Sequence, residues 1–426
     1  MNVELPQQQP LQPRLLPRVP NSMKEGNVGL YLPSVVTLGA PAAQPESLDV
    51  LQQPLVQRMK DDFVDRICLV GGEDRRPQIR DRIRQHMQQI RDFYGGLQDQ
   101  DEEVITEDML TKVCTLVCML EQSNEVSRII LHRIGLGGLV FSMRDMFMLE
   151  NQIPLFLITF VAENHRVLLR EHLSAQVYGD NSLVDLPWAD ELESMPFHYL
   201  EAAYLVYVSR LPGLNQQAIG PNQQAGAPNQ QAGVPNLVHD LRFRPNRSAT
   251  SLVRKGIKFR RSTRCLRDIQ FRPGCLSGVL ELPFFCVTSD TKILFTNLIA
   301  YELSPNSYTD YCITSYVSFM KSLLETTDDV KLLREAHILS CMMANDEEVL
   351  DVFTSIETFG VYNNNLFRAV YARVRRHCAS EMNTWYATFK SAYVLTPWKI
   401  VSLLAAIFVI GLYIVQTACA VLSLRK

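Results

Sequence analysis

Apolar residues recur at helical spacing through most of the chain. Ile83, Met87, Ile90 and Phe93 mark one face of a run over 79–94 that is otherwise rich in Arg and Gln, which predicts an amphipathic helix. Leu110, Val113, Leu116, Val117 and Leu120 do the same within 104–120. Asp99, Asp101, Glu102, Glu103, Glu107 and Asp108 precede or open that helix, where carboxylates suit the positive end of its dipole. Helical spacing returns at 292–302, 315–325 and 347–358. It continues through a long stripe of Phe367, Val370, Val374, Cys378, Met382, Trp385 and Phe389 over 366–389. Strict alternation appears only at 256–260, 268–271 and 278–282, which predicts short strands. The expected fold is mainly α, a helical body with a small β element over about 256–283 and one C-terminal transmembrane helix.

That last helix is read from Ile400 to Leu424, 25 residues without a charged side chain. At 1.5 Å per residue it reaches roughly 37 Å, enough for a 30 Å hydrocarbon layer with some tilt. Thr396 suits an N-cap and Pro397 the first turn, while Trp398 and Lys399 are interfacial residue types. Arg425 and Lys426 close the far side. The lipid bilayer is therefore an expected partner through 400–424. The first residues, Met1 to Pro10, offer no positive start followed by an apolar run, so no export signal is read. The expected arrangement is a single-pass tail anchor, inserted after translation, with the body in the cytosol. Lys390 and Lys399 on one side balance Arg425 and Lys426 on the other, so charge does not set the orientation. Asn246-Arg247-Ser248 is the one Asn-x-Ser/Thr sequon, and its glycosylation would place the body on the other side.

Three tandem heptads fill 215–235, each carrying Asn-Gln-Gln-Ala, a Gly and a closing Pro. Pro in every unit and the scarcity of apolar side chains exclude a coiled coil, so a disordered linker over 213–236 is expected. It separates a first part of the body, 47–212, from a second, 237–393. A flexible Gln/Pro-rich tail with an N-terminal motif is expected at 1–46, and the anchor at 394–426.

Composition narrows the class. With 426 residues, 47% apolar and 20% charged, the chain can bury a core, which excludes wholesale disorder, a fibre and a polytopic membrane protein. The net charge of −3 hides an asymmetry. From Arg242 to Arg272 there are eleven basic residues against Asp268 alone, a local +10, so the remainder sums to −13. Arg254, Lys255, Lys258, Arg260, Arg261 and Arg264 are candidate contacts to anionic lipid or to a protein partner of unknown identity. The plain alternative is the outward faces of short strands. No nucleic acid is expected, because no binding fold or aromatic platform accompanies the charge. Ten cysteines without a CxxC pair indicate neither a disulfide scaffold nor a zinc site, and Cys114 with Cys118 reads as small core residues.

Glu150, Asn151 and Gln152 form a polar set between apolar runs, ahead of Pro154, and are expected at a helix break as a structural network or a functional pocket. No GxSxG, GxxxxGK[ST], HExxH or GxGxxG motif occurs, and the eight histidines are scattered. Gly135 to Gly138 reads as a helix interruption. No catalytic residue, metal site or cofactor is expected.

Further segments carry a resemblance. Leu16-Pro17-Arg18-Val19-Pro20, Leu32 to Gly39, Asp145 to Pro154, Gly278 to Pro283, Leu294 to Glu302, Ile313 to Met320, Asp346 to Val349 and Pro397-Trp398 are similar, in order, to motifs of the plant family called domain of unknown function 247. Two features depart from it: Ala40 to Ala43 replaces a usual Pro-Tyr-His-His-Gly turn, and the heptads are additional. The resemblance implies a mainly helical body, a C-terminal membrane segment and no assigned catalytic residues, with pollen-side self-incompatibility associated with some grass members. The expected function is thus a membrane-anchored, non-enzymatic interaction or signalling protein. A self-incompatibility or cell-recognition determinant is the alternative, and an enzyme with an unrecognised site near Glu150 is a second alternative.

Overall fold

The computed structural model describes residues 14–39, 53–178, 186–188, 195–209, 248–262, 265–274, 277–305, 307, 309–380 and 397–423. The heptads, Asn246, Arg264, the stripe beyond 380, Arg425 and Lys426 lie outside these residues.

The N-terminal segment departs from expectation. From Arg14 onward it is built into the body rather than loose. It forms a short helix, α1 (Asn21–Lys24), and a 3-10 turn at Val28–Leu30, and it buries Val19, Met23, Tyr31, Val36 and Leu38. These apolar residues follow neither a helical nor a strand period. An irregular extended segment buries whichever side faces the body, so pattern reading passes over it.

Helices α2 (Gln53–Cys68), α3 (Arg76–Gln85), α4 (Met87–Tyr94), α5 (Glu102–Glu121) and α6 (Asn124–Asp145) follow, with a two-residue hairpin, β1 (Leu69–Val70) and β2 (Glu73–Asp74), after α2. The single helix expected over 79–94 is two, because His86 leaves helical geometry while Ile83, Ile90 and Phe93 still face the core. Gly95 closes α4 at φ 66°, a conformation glycine adopts without cost, and its N–H donates to Arg91 O at 2.9 Å. Helix α5 starts where expected, with Asp101 accepting from Glu103 N at 3.1 Å. It is buried on nearly every side, which makes it the central pillar of this half.

Helix α6 breaks inside Gly135–Gly138 as expected, with Gly135 at φ 72° and ψ −177°. Among the described residues it is the one helix long and apolar enough to cross a membrane. Its Arg133 pairs with Asp62 of α2 at 2.7 Å and its last residue, Asp145, is fully buried, so it is fastened to the body, while Leu131, Leu136, Val140 and Phe141 along its length are exposed. Short α7 (Ile158–Val161), α8 (His165–Tyr178) and α9 (Tyr199–Val208) complete the first half.

The second half opens with α10 (Ala249–Arg254) and the expected strands, β3 (Ile257–Arg261), β4 (Gln270–Pro273) and β5 (Gly278–Leu282). The sheet order is β3-β5-β4, with β3 parallel and β4 antiparallel to the centre. A second, parallel pair of three residues each, β6 (Phe285–Val287) and β7 (Leu339–Cys341), was not expected; strands this short show no alternation. Helices α11 (Thr291–Leu303), α12 (Cys312–Leu323) and α14 (Asp346–Ser355) match expectation. Helix α13 (Thr327–Glu335), opened by a Thr326/Asp329 capping box, is additional. Helix α15 (Asn364–Ala379) buries Phe367, Val370, Val374 and Cys378, the described part of its stripe.

Over the C-terminus the chain is helical from Pro397 to Ser423 (α16), and the apolar stretch with described side chains is Ala405–Ala418, shorter than a bilayer crossing. The body is mainly helical with a few short strands. One hydrophobic cluster runs from Val19 to Cys378 and draws on both sides of the repeat.

Glu302, at the end of α11, is buried and accepts from Ile313 N and Thr314 N at 2.8 Å each, so it caps α12 from a distance. Burial pushes its carboxyl up to about 7, against the Thr314 and Ile313 donors that pull it down. A carboxyl raised on folding contributes stability at low pH that is lost as pH climbs through the folded value. Glu302→Gln does not titrate. Its stability deficit against wild type should therefore be larger at pH 5 than at pH 8, by up to about 3 kcal/mol. Denaturant titrations at the two pH values check this, and a deficit that widens with pH contradicts it.

Candidate functional site

The polar set read from the sequence lies in the loop between α6 and Pro154, and it holds the N-terminal segment. Asp145, the last residue of α6, is its centre. Its Oδ1 accepts from Ser34 N at 2.8 Å, and its Oδ2 accepts from Val35 N and Val36 N, both at 2.7 Å. Asn151 continues the row: its Oδ1 accepts from Leu38 N at 2.6 Å and Gly39 N at 2.9 Å, and its Nδ2 donates to Val36 O at 2.8 Å. Residues 34–39 thus find in side chains the partners that a neighbouring strand would supply. A Cβ on Gly39 would lie 2.3 Å from Glu150 O, so only glycine permits this approach.

Gln152 fixes the loop itself. Its Nε2 donates to Met146 O and Met148 O at 2.8 Å, and its Oε1 accepts from Leu200 N at 3.1 Å. Glu150 is the outer member. Its Oε1 accepts from Val19 N at 2.8 Å, and Lys24 Nζ reaches both oxygens at 2.9 and 2.7 Å. The structure therefore joins Glu150, Asn151 and Gln152 in one network, to which it adds Asp145. Burial raises the Asp145 carboxyl to about 6, although the three backbone donors pull it down.

Two further clasps hold the same segment, and pattern reading found neither. Arg14 pairs with Glu201 at 2.5 Å, and Tyr301 OH donates to the same oxygen at 2.8 Å. Burial alone would raise the Glu201 carboxyl, but Arg14 reverses this and holds it below the ordinary range. Asn297 donates to Leu30 O at 2.8 Å and accepts from Leu149 N at 2.9 Å, so one side chain of α11 ties the N-terminal segment, a strap over 14–39, to the loop. The partners lie over a hundred residues apart, and the one available signal was a buried Asn inside an apolar helix.

The basic block is dispersed by the sheet. Arg261 stacks on the Phe284 ring at 4.2 Å, and Arg267 pairs with Asp310. Arg260 and Arg272 both pair with Glu281 of the central strand. Arg254 and Lys258 are exposed, Lys255 is half-buried, and Arg264 falls outside the described residues. Trp398 and Lys399 lie in the first turn of α16. Cys114 and Cys118 are buried core residues, with Cys114 Sγ 4.0 Å from Cys68 Sγ.

A family model described as a plant protein of unknown function, domain of unknown function 247, matches residues 16–412. The UPF0481 protein At3g47200 of Arabidopsis thaliana is 30% identical over 185 residues, 41% of this chain and 37% of that protein. The putative UPF0481 protein At3g02645 of the same plant is 24% identical over 148 residues, 34% of this chain and 28% of that protein. The chain thus covers well under half of these relatives' length. No solved structure matches.

Removing the Asp145 carboxylate strands three amides at once, two of them buried, whereas Glu150 is part-exposed and its partner Lys24 can turn to water. Asp145→Ala should cost about 4 kcal/mol and Glu150→Ala about 1 kcal/mol. Denaturant titration measures both. Native-state hydrogen exchange should show residues 34–39 losing protection in the first variant alone, and equal costs would refute the ranking.

Proposed function

The chain belongs to the plant family called domain of unknown function 247, and from that premise we propose that it is a membrane-anchored, non-enzymatic interaction protein with its helical body on the cytosolic face of a bilayer. One observation carries the proposal. The 25 residues from Ile400 to Leu424 contain no charge, and the helix described to Ser423 leaves its described apolar side chains open, with Phe408 67% and Ile414 65% exposed. An apolar helix uncovered on every described side loses roughly 1.5–3 kcal/mol per large side chain kept from an apolar medium. A bilayer supplies that medium around the whole circumference. A packed core would cover one stripe of it.

Two features support the rest of the reading. The described cysteines are free, and the Cys68 and Cys114 sulfurs sit 4.0 Å apart without a bond, which suits a reducing compartment. Glu150, the residue on which an enzymatic reading rested, has both oxygens engaged in holding residues 19 and 24. Its chemistry is that of a fastener, so the body serves as a rigid surface for a protein partner.

Full-length protein should stay with membranes through high-salt and carbonate washes, and a chain ending at 396 should be released. A truncated chain that still pellets overturns the anchor. In sealed vesicles the body should be open to added protease and Asn246 should carry no glycan. Protection of the body with a glycan-dependent mass shift would put it on the opposite side.

A further inference from the structure

We propose that the outward face of the three-stranded sheet is a clamp for the phosphate-monoester headgroup of a membrane lipid, with Lys258, Arg260 and Arg272 as its ligands and Glu281 as the positioning residue. The strand register builds the face. Lys258 and Arg272 flank Val279 in one row, and Arg260 and Gln270 flank Glu281 in the next. Successive residues of a strand point to opposite sides, so these six share one face while Ile257, Phe271 and Leu280 occupy the buried one. The register therefore sorts the basic block: Arg261 turns to Phe284, while Arg272 joins the outward set.

Glu281 is what distinguishes this face from a scatter of surface cations. Its side chain is 7% exposed, and its two oxygens are divided between the guanidiniums, Oε1 to Arg260 and Oε2 to Arg272, the latter at 3.2 Å. One carboxylate neutralises one of the two arginines and orients both. The two arginine side chains remain 57% and 59% exposed. Each has five N–H donors, most of which the carboxylate leaves unused, and such forks match phosphate oxygens. Lys258 is exposed and has no hydrogen-bond or ion-pair partner among the described residues.

The three cations reach across two strand spacings, about 10 Å, which suits one or two phosphates rather than a polynucleotide track. None of the six described residues of the face is aromatic, so none of them stacks a base, and Val279 at its centre suits an acyl-proximal surface. The lipid source rests on the anchor reading above, since a tethered body meets headgroups at high effective concentration.

The test uses full-length protein in neutral detergent, titrated with a short-chain phosphatidylinositol phosphate, short-chain phosphatidylserine and inorganic phosphate. The wild type should bind the phosphomonoester lipid roughly ten-fold more tightly than phosphatidylserine. Arg260→Ala with Arg272→Ala should abolish that preference. Glu281→Gln adds a positive charge, so diffuse electrostatics requires tighter binding, whereas a positioned clamp requires several-fold weaker binding. Should the Gln variant unfold, Arg260→Lys with Arg272→Lys keeps the charge on exposed positions and should weaken binding likewise. Tighter binding by Glu281→Gln, wild-type binding by the double Lys variant, or a preference for an oligonucleotide overturns the clamp. Inorganic phosphate that displaces the lipid at equal concentration overturns the lipid source. The titration is run in detergent, so it stands or falls separately from carbonate extraction.

Discussion

Six consecutive residues, 34–39, four of them buried and two half-buried, run through this protein without a neighbouring strand, and their amides must be met by something other than a ladder. The carboxylate of Asp145 and the amide of Asn151 meet five of those N–H groups over one short stretch. Much of the surrounding structure follows from that constraint. The loop after α6 must hold two acceptors at a fixed height, so Gln152 bonds the loop's own carbonyls. The strap must come close enough for Asn151 to reach it, so position 39 must be glycine. The carboxylate must be buried to exclude water, and burial raises it to about 6. A half-satisfied arrangement would be worse than an apolar one, because each unpaired buried amide costs about 1–3 kcal/mol.

The same strap explains why the two sides of the repeat behave as one body. It touches α5 through Lys112 Nζ on Gly39 O at 2.5 Å, α9 through Arg14 on Glu201, and α11 through Asn297 on Leu30 O. Arg144 of α6 also reaches Asp290, ahead of α11, at 2.8 Å. Contacts of this kind are non-local in sequence and form only when both halves are in place. The N-terminal segment therefore acts as a shared edge of the core, and the single hydrophobic cluster from Val19 to Cys378 is its apolar counterpart.

What could be read from the sequence follows from how each element buries itself. Helices with one apolar stripe, such as α15, and the strands β3 and β5, whose residues alternate apolar and polar, were legible because their sequence pattern carries the period of the element. The break at His86 was not, since the stripe of Ile83, Ile90 and Phe93 runs on across it. The strap was legible only as motif segments, not as packed structure, because its apolar residues follow no helical or strand period. Glu150, Asn151 and Gln152 were identified as a group, yet Asp145 stood out only as a motif neighbour. Its partners lie 109 to 111 positions away, beyond any local pattern. The basic block was legible as a charge count, but its division into core and outward sides needed the register of β5.

That division changes the weight of electrostatics in any attachment to a membrane. Eleven basic residues near an anionic surface would contribute about 1 kcal/mol each, and the local +10 suggests strong attraction. The structure commits Arg267 to Asp310, and Glu281 offsets one of Arg260 and Arg272. The outward face of the sheet then carries three cations and one carboxylate, or about 2 kcal/mol at that rate. Such an energy does not hold a 48.5 kDa protein on a bilayer alone. An apolar segment of 25 uncharged residues, each large side chain gaining roughly 1.5–3 kcal/mol from leaving water, exceeds it many times over. Under the anchor reading the helix therefore sets residence, and the sheet sets only how the tethered body turns toward the headgroups. A clamp freed from the task of retention can be weak and still selective, which is what two guanidiniums fixed by one buried carboxylate provide.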